Sequence, residues 1–202
     1  MRIKLVEKEN KKYYTKIEAK RAYKDYLRGH IQNVQDALEL IIENMPDNKF
    51  IQDNKDKLRK ICKEHDKSKY EKEEYIPYLH HFYPTCKEDE EDEVAFEEAC
   101  KHHVYNNKHH WEYWLDKNSR TSKKLNIPNK EEYMLYCVER VADWISMAAQ
   151  HKEAKDRYYK SNKDSIILSA DGRKFMEEML KAIPDDFAKN LSFKRTRGKA
   201  DK

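Results

Sequence analysis

Between Lys16 and Asn44 the chain meets no proline and a single glycine, Gly29, while bulky apolar residues return every three or four positions. Tyr23, Leu27, Val34, Leu38 and Ile41 share this spacing, which places them on one stripe of a helix. His30 falls inside the same stripe, so the pattern puts an imidazole where the neighbours are core. Gly29 beside it costs helix stability and lets another element approach closely. A helix of that length, ending before Met45-Pro46-Asp47, leaves the rest of the chain to pack along it.

The remaining sequence continues in the same manner. Only three Gly and five Pro occur in 202 residues, and charged residues reach 40% against 38% hydrophobic. So few breakers among so many Lys, Glu, Leu and Ala specify long helices with heavily solvated outer faces. Fourteen Tyr and three Trp supply the bulk that a lean aliphatic content lacks. The fold class expected is all-α: a single compact bundle of about six helices over residues 16–183. A polar arm (1–15) precedes it, and a basic tail (184–202) carrying Lys194, Arg195, Arg197 and Lys199 follows.

The six segments are expected near Lys16–Asn44, Lys49–Asp66, Glu71–Phe82 (with Pro77 as a kink or a late start), Glu93–Asp116, Lys130–Tyr159 and Asp171–Ala182. The acidic run Lys87–Glu93 reads as a solvated helix start, since it lacks the spaced glycine of a calcium loop. Cys62, Cys86, Cys100 and Cys137 show no Cys-x-x-Cys spacing and read as reduced packing thiols of a cytoplasmic protein. Basic residues number 42 and acidic ones 38, interspersed, and that balance argues against nucleic-acid binding. Neither a secretory h-region nor an apolar run of membrane-spanning length is expected.

Four of these helices aim imidazoles and carboxylates at one place. The second carries His65-Asp66 near its end, and Asp143 flanks the core stripe of the fifth, one turn after Glu139. The fourth reads Cys100-Lys101-His102-His103-Val104-Tyr105-Asn106-Asn107-Lys108-His109-His110-Trp111. If that helix is continuous, His103, Asn107 and His110 share one stripe, and His102, Asn106 and His109 share the next. Polar groups on core-facing stripes need partners. Mixed imidazole and carboxylate donors suit Mn, Fe, Co, Ni or Zn, one ion or two. Two ions need a bridging carboxylate, for which Asp66 is placed. They would acidify a shared water to hydroxide and clamp phosphoryl oxygens during its attack.

Each member also has a plainer reading. A lone His on an apolar stripe is commonly a satisfied core residue, and Asp143 could pair with Arg140 one turn earlier. The four histidines could instead orient ligating carboxylates, with Asn107 pairing to backbone. His80-His81 read as packing and surface residues, and Trp111, Trp114 and Trp144 as core unless one lines a pocket and stacks a base.

The order His30, then His65-Asp66 thirty-five residues on, then Asp143 seventy-seven further, resembles the H…HD…D signature of the HD-domain superfamily. The likeness spans roughly residues 16–150. Within it, Asn107-Lys108-His109-His110-Trp111-Glu112-Tyr113-Trp114 is similar to an uncharacterised family of bacterial and phage proteins. The resemblance implies a metal-dependent phosphohydrolase for a small phosphorylated metabolite or nucleotide, with His30, His65, Asp66 and Asp143 on a first ion. Members with two ions add histidines from the intervening helix, here His103 and His110, with His102 and His109 as the alternatives. Lys69 matches a position that contacts phosphate, and Asp66 and Lys69 are the residues expected at the chemistry. A histidine-rich minority of the superfamily are di-iron oxygenases, and a non-catalytic helical module held by its metal is the third expectation.

Overall fold

The structure is a computed structural model that describes residues 13–116 and 123–190. The outer parts of the expected arm (1–12) and of the basic tail (191–202) lie outside the described residues, as does 117–122. The described chain is all-α. Its helices are α1 (Lys16–Asn44), α2 (Lys49–Asp53), α3 (Lys55–Lys63), α4 (Lys72–Phe82), α5 (Lys87–Glu91), α6 (Glu93–Asn106), α7 (Lys130–Gln150), α8 (Arg157–Asn162) and α9 (Ala170–Ala182). Single 3-10 turns cover Lys67–Tyr70, Trp111–Trp114 and Phe187–Asn190. The only extended pairing among the described residues is an isolated bridge between Leu115 and Leu125.

Local chemistry sets the helix starts. Thr15 and Glu18 form a capping box at α1: the Thr15 hydroxyl accepts from the Glu18 N–H and the Thr15 N–H donates to the Glu18 carboxylate at 2.9 Å. The side chains of Asn129, Ser169 and Asp92 cap α7, α9 and α6 by accepting from the N–H of Glu132, Gly172 and Ala95. Three of the six expected segments end elsewhere or divide. The second splits at Asn54, whose side chain turns back to the Phe50 carbonyl, and it stops at Lys63. The fifth stops at Gln150, and α8 follows separately. The acidic run forms a short helix of its own, and the fourth segment breaks after Asn106. α4 runs through Pro77. Core packing also continues past the expected boundary at 184, since Phe187 is buried.

Helices α1 and α7 lie against each other at the centre, with α3, α4 and α9 around them. α1 belongs to two hydrophobic clusters at once. Its second half (Val34, Leu38, Ile41) joins Leu58 of α3, Val138, Val141 and Ile145 of α7, and Met176 and Met179 of α9. Its first half (Ala19, Tyr23, Leu27) joins Tyr78 and Leu79 of α4, Tyr83 just after that helix, and Ala99 of α6. His30 lies on α1 between Leu27 of one cluster and Val34 of the other. The polar site is built at that seam. All four cysteines are free thiols, Cys62 and Cys137 buried.

Candidate metal centre

The His65-Asp66 pair sits in a turn, not in a helix. Asp66 adopts a left-handed backbone (φ 53°, ψ 22°) between α3 and the 3-10 turn at Lys67. Such a conformation is strained for most residues and tolerable for Asp. Consecutive helical side chains diverge by about 100°. The turn lets both neighbours face inward, and each is at most 2% exposed.

Around the pair, three elements converge. His30 Nε2 of α1 stands 3.2 Å from His65 Nε2, 3.5 Å from Asp66 Oδ2 and 3.3 Å from Asp143 Oδ1 of α7. His65 Nε2 is 3.6 Å from Asp66 Oδ1 and 3.7 Å from Asp143 Oδ1. Donors bound to one ion at ~2.0–2.2 Å lie about 2.8–3.6 Å apart at octahedral or tetrahedral angles. The first four donors fit that spacing to within about a tenth of an ångström. Asp143 does not pair with Arg140, whose Nε donates instead to the His109 carbonyl.

A second group of imidazoles faces Asp66 Oδ1, the oxygen that His65 also approaches. His103 Nε2 lies 3.2 Å and His109 Nε2 3.5 Å from Asp66 Oδ1. One ligand atom from each of His103, His109 and His110 falls within a single small cluster. Two stripes on one helix cannot produce this, because the chain leaves the helix between them. Asn107 takes an extended backbone (φ −105°, ψ 121°), and its side-chain N–H groups donate to the His103 carbonyl at 2.9 Å and Ser68 Oγ at 2.8 Å. His109 and His110 then return toward His103 on a turn. The expected choice between His103/His110 and His102/His109 thus resolves differently: His103 and His109 face Asp66, His110 stands beside them, and His102 pairs with Glu74.

Carboxylates fix the imidazoles from behind. His65 Nδ1 meets Glu139 Oε1 at 2.9 Å, and His103 Nδ1 meets Glu74 Oε2 at 2.8 Å. Each contact leaves Nε2 turned into the site, the usual support of a metal-ligating histidine. Ser68 Oγ also donates to Glu74 Oε2 at 2.9 Å. Glu139 lay within sight of the sequence pattern, one turn before Asp143. Nothing in the pattern singled out Glu74, which reaches His103 only through the packing of α4 on α6.

Carboxylates crowd the site. Four carboxylates (Asp66, Asp143, Glu74, Glu139) gather here with one ammonium, Lys69, whose Nζ donates to Asp66 Oδ2 at 2.7 Å. Burial opposes charge on Asp66, but Lys69, His65 and His103 hold its carboxyl well below the ordinary range. Burial likewise opposes charge on Asp143, and His30 and His65 hold that carboxyl low. Burial depresses His109 and takes His110 down to about 3, which keeps their lone pairs free for a metal. Asp66 Oδ1 is buried and accepts no hydrogen bond among the described residues, despite the imidazole nitrogens around it. An orphaned carboxylate oxygen is costly. A divalent ion would satisfy it.

A cleft of about 320 Å³ reaches this cluster, lined by His109, His110 and Asp143. Trp111, Trp144 and Tyr158 give it aromatic lining, and Glu112, Arg140 and His151 add polar groups. None of these three polar residues stood out from the sequence as part of a site. Lys69 is absent from the lining and packs over the Tyr78 ring, 5.2 Å from its centroid. His80 pairs with Asp89, and His81 stacks on Phe96, outside the site. Trp114 is buried in the main core.

The model of DUF5662, a family of unknown function, matches residues 19–182, and the chain belongs to that family. No curated protein and no solved structure matches the chain.

Proposed function

We propose that this member of DUF5662 is a metal-dependent phosphohydrolase acting on a small phosphorylated metabolite or nucleotide. One observation carries the reading: buried Asp66 Oδ1 has no hydrogen-bond partner among the described residues, although Nε2 of His103, His109 and His65 lies 3.2, 3.5 and 3.6 Å from it. The resemblance of His30, His65-Asp66 and Asp143 to HD-domain proteins supplies the reaction class.

In this reading His30, His65, Asp66 and Asp143 hold a first ion, while His103, His109 and His110 with Asp66 hold a second. Divalent transition ions bound there would acidify a water and neutralise phosphate oxygens. Glu139 and Glu74 keep His65 and His103 in the tautomer that presents Nε2. Lys69, fixed on Asp66 outside the cleft lining, adds a positive charge behind that carboxylate. The cleft admits the substrate to His109, His110 and Asp143. No helix among the described residues is long and apolar enough to cross a membrane, and the substrate is read as a dissolved small molecule.

Metal analysis of protein purified without chelators, paired with turnover on a panel of small phosphoesters, tests this. One or two equivalents of Mn, Fe, Co, Ni or Zn with phosphate release is expected. A metal-free protein sinks the assignment, and a metal-loaded one without turnover turns it into a metal-stabilised binding module. A second reading, di-iron oxygen activation, is favoured by the second half of the site, where every donor other than Asp66 is an imidazole. Oxygen consumption by iron-reconstituted protein, without phosphatase activity, would select it.

A further inference from the structure

Of the polar residues in the cleft that the proposed chemistry does not use, two, Arg140 and Glu112, carry a buried atom without a partner among the described residues. Arg140 is 2% exposed, its Nε donates to the His109 carbonyl and its Nη1 reaches Met176 Sδ, yet its Nη2 finds no partner among the described residues. Glu112, half-buried on the 3-10 turn after His110, has a buried Oε2 in the same condition. Both residues line the cleft that reaches the histidine cluster. A buried guanidinium N–H and a carboxylate oxygen left without hydrogen bonds are expensive, and each calls for a partner that would satisfy it.

The rest of the lining limits what that ligand can be. Trp111, Trp144 and Tyr158 offer flat apolar surface, which suits a planar ring. One free donor and one free acceptor suit a ring edge that carries an acceptor next to an N–H. The volume of about 320 Å³ suits a molecule of nucleoside size and is at the small end of ligand sites.

We infer that this cleft is a nucleobase subsite, in which Arg140 Nη2 donates to a ring carbonyl or ring nitrogen and Glu112 Oε2 accepts the adjacent N–H. Arg140 and Glu112 are specificity-determining residues in this assignment, and the substrate class narrows to nucleoside phosphates with an unblocked base edge. The assignment rests on the phosphohydrolase reading for the place of the phosphate, beside His109, His110 and Asp143. The base contacts themselves do not depend on the metal.

The test uses nucleosides, which carry no phosphate, on the protein as purified. Uridine and adenosine are titrated by calorimetry alongside 3-methyluridine and N6,N6-dimethyladenosine, in which methyl groups remove the N–H. At least one parent nucleoside is expected to bind with a Kd on the order of 0.1–1 mM, as suits a ligand of that size. Its methylated form should bind roughly tenfold more weakly or worse, the loss of one charge-assisted hydrogen bond. The Glu112→Leu variant should erase the difference between parent and methylated forms. The assignment is overturned if no nucleoside binds, or if methylation changes nothing. Release of phosphate from small non-nucleotide esters, measured in parallel, keeps the two ideas apart: turnover without nucleoside binding leaves the hydrolase standing and removes the subsite.

Discussion

The two halves of the candidate centre share Asp66 and are built in different ways. The first half, His30, His65 and Asp143, hangs on α1, on the turn after α3 and on α7, the helices that also make the main hydrophobic cluster. Its donors inherit the rigidity of that packing. The second half, His103, His109 and His110, comes from the end of α6 and the irregular chain beyond it, against the tyrosine-rich cluster and the cleft. There Asn107, Ser68 and Glu74 hold the geometry through hydrogen bonds. A site on helices is set by burial, and one on a turn is set by polar contacts that a single substitution can cut. The first half is therefore expected to bind its ion more tightly and to survive more changes.

The largest effect should come from the residue the halves share. Asp66→Asn keeps a side chain that tolerates the left-handed backbone and removes the charge, so loss of metal from both halves with a folded chain is expected. Elemental analysis and circular dichroism check it together. Full metal content in that variant would remove the centre altogether.

Next come single ligands on either side. His109→Ala should release about one equivalent of metal and leave the other, whereas His30→Ala should loosen the tighter ion. A chelator titration distinguishes them, and equal losses in both variants would dissolve the contrast between the halves. Smaller still is the effect of the supporting carboxylates. Glu139→Gln and Glu74→Gln are each expected to weaken metal binding by about 10–100-fold, as loss of a histidine's supporting carboxylate does elsewhere. Glu74→Gln should act on the second ion and Glu139→Gln chiefly on the first, because Glu139 bonds His65 at 2.9 Å and stands 3.6 Å from His109.

The smallest effect on metal, with a clear one on stability, belongs to Gly172 on α9. A Cβ there would lie 2.7 Å from the Tyr133 ring, and the Tyr133 hydroxyl is held by the Ser169 N–H at 3.2 Å. Gly172→Ala should cost about 1–3 kcal/mol of stability through overpacking, read as a lowered Tm, while metal content stays that of the parent chain. A fall in metal content would show that the core and the centre are not separable.

His30, Leu27 and Val34 were legible as one stripe because a buried helix face repeats every three to four residues, and α1 matches that pattern closely. The same regularity identified the fold class and placed Asp143 and Glu139 a turn apart on α7. Periodicity fails where the chain stops being periodic. His109 faces Asp66 because α6 ends at Asn106, and that end is enforced by Asn107 bonding Ser68 from another element. Arg140 and Glu112 share a cleft for reasons of packing that no local spacing records. What the sequence determined by itself was the all-α class, the long helix α1 and the inward faces that bring His30 and Asp143 together, since these follow from burial on a repeating backbone. Which histidines complete the second half, which carboxylates hold them and what opens onto them were decided by the tertiary structure, because contacts between separate elements depend on how their turns aim them.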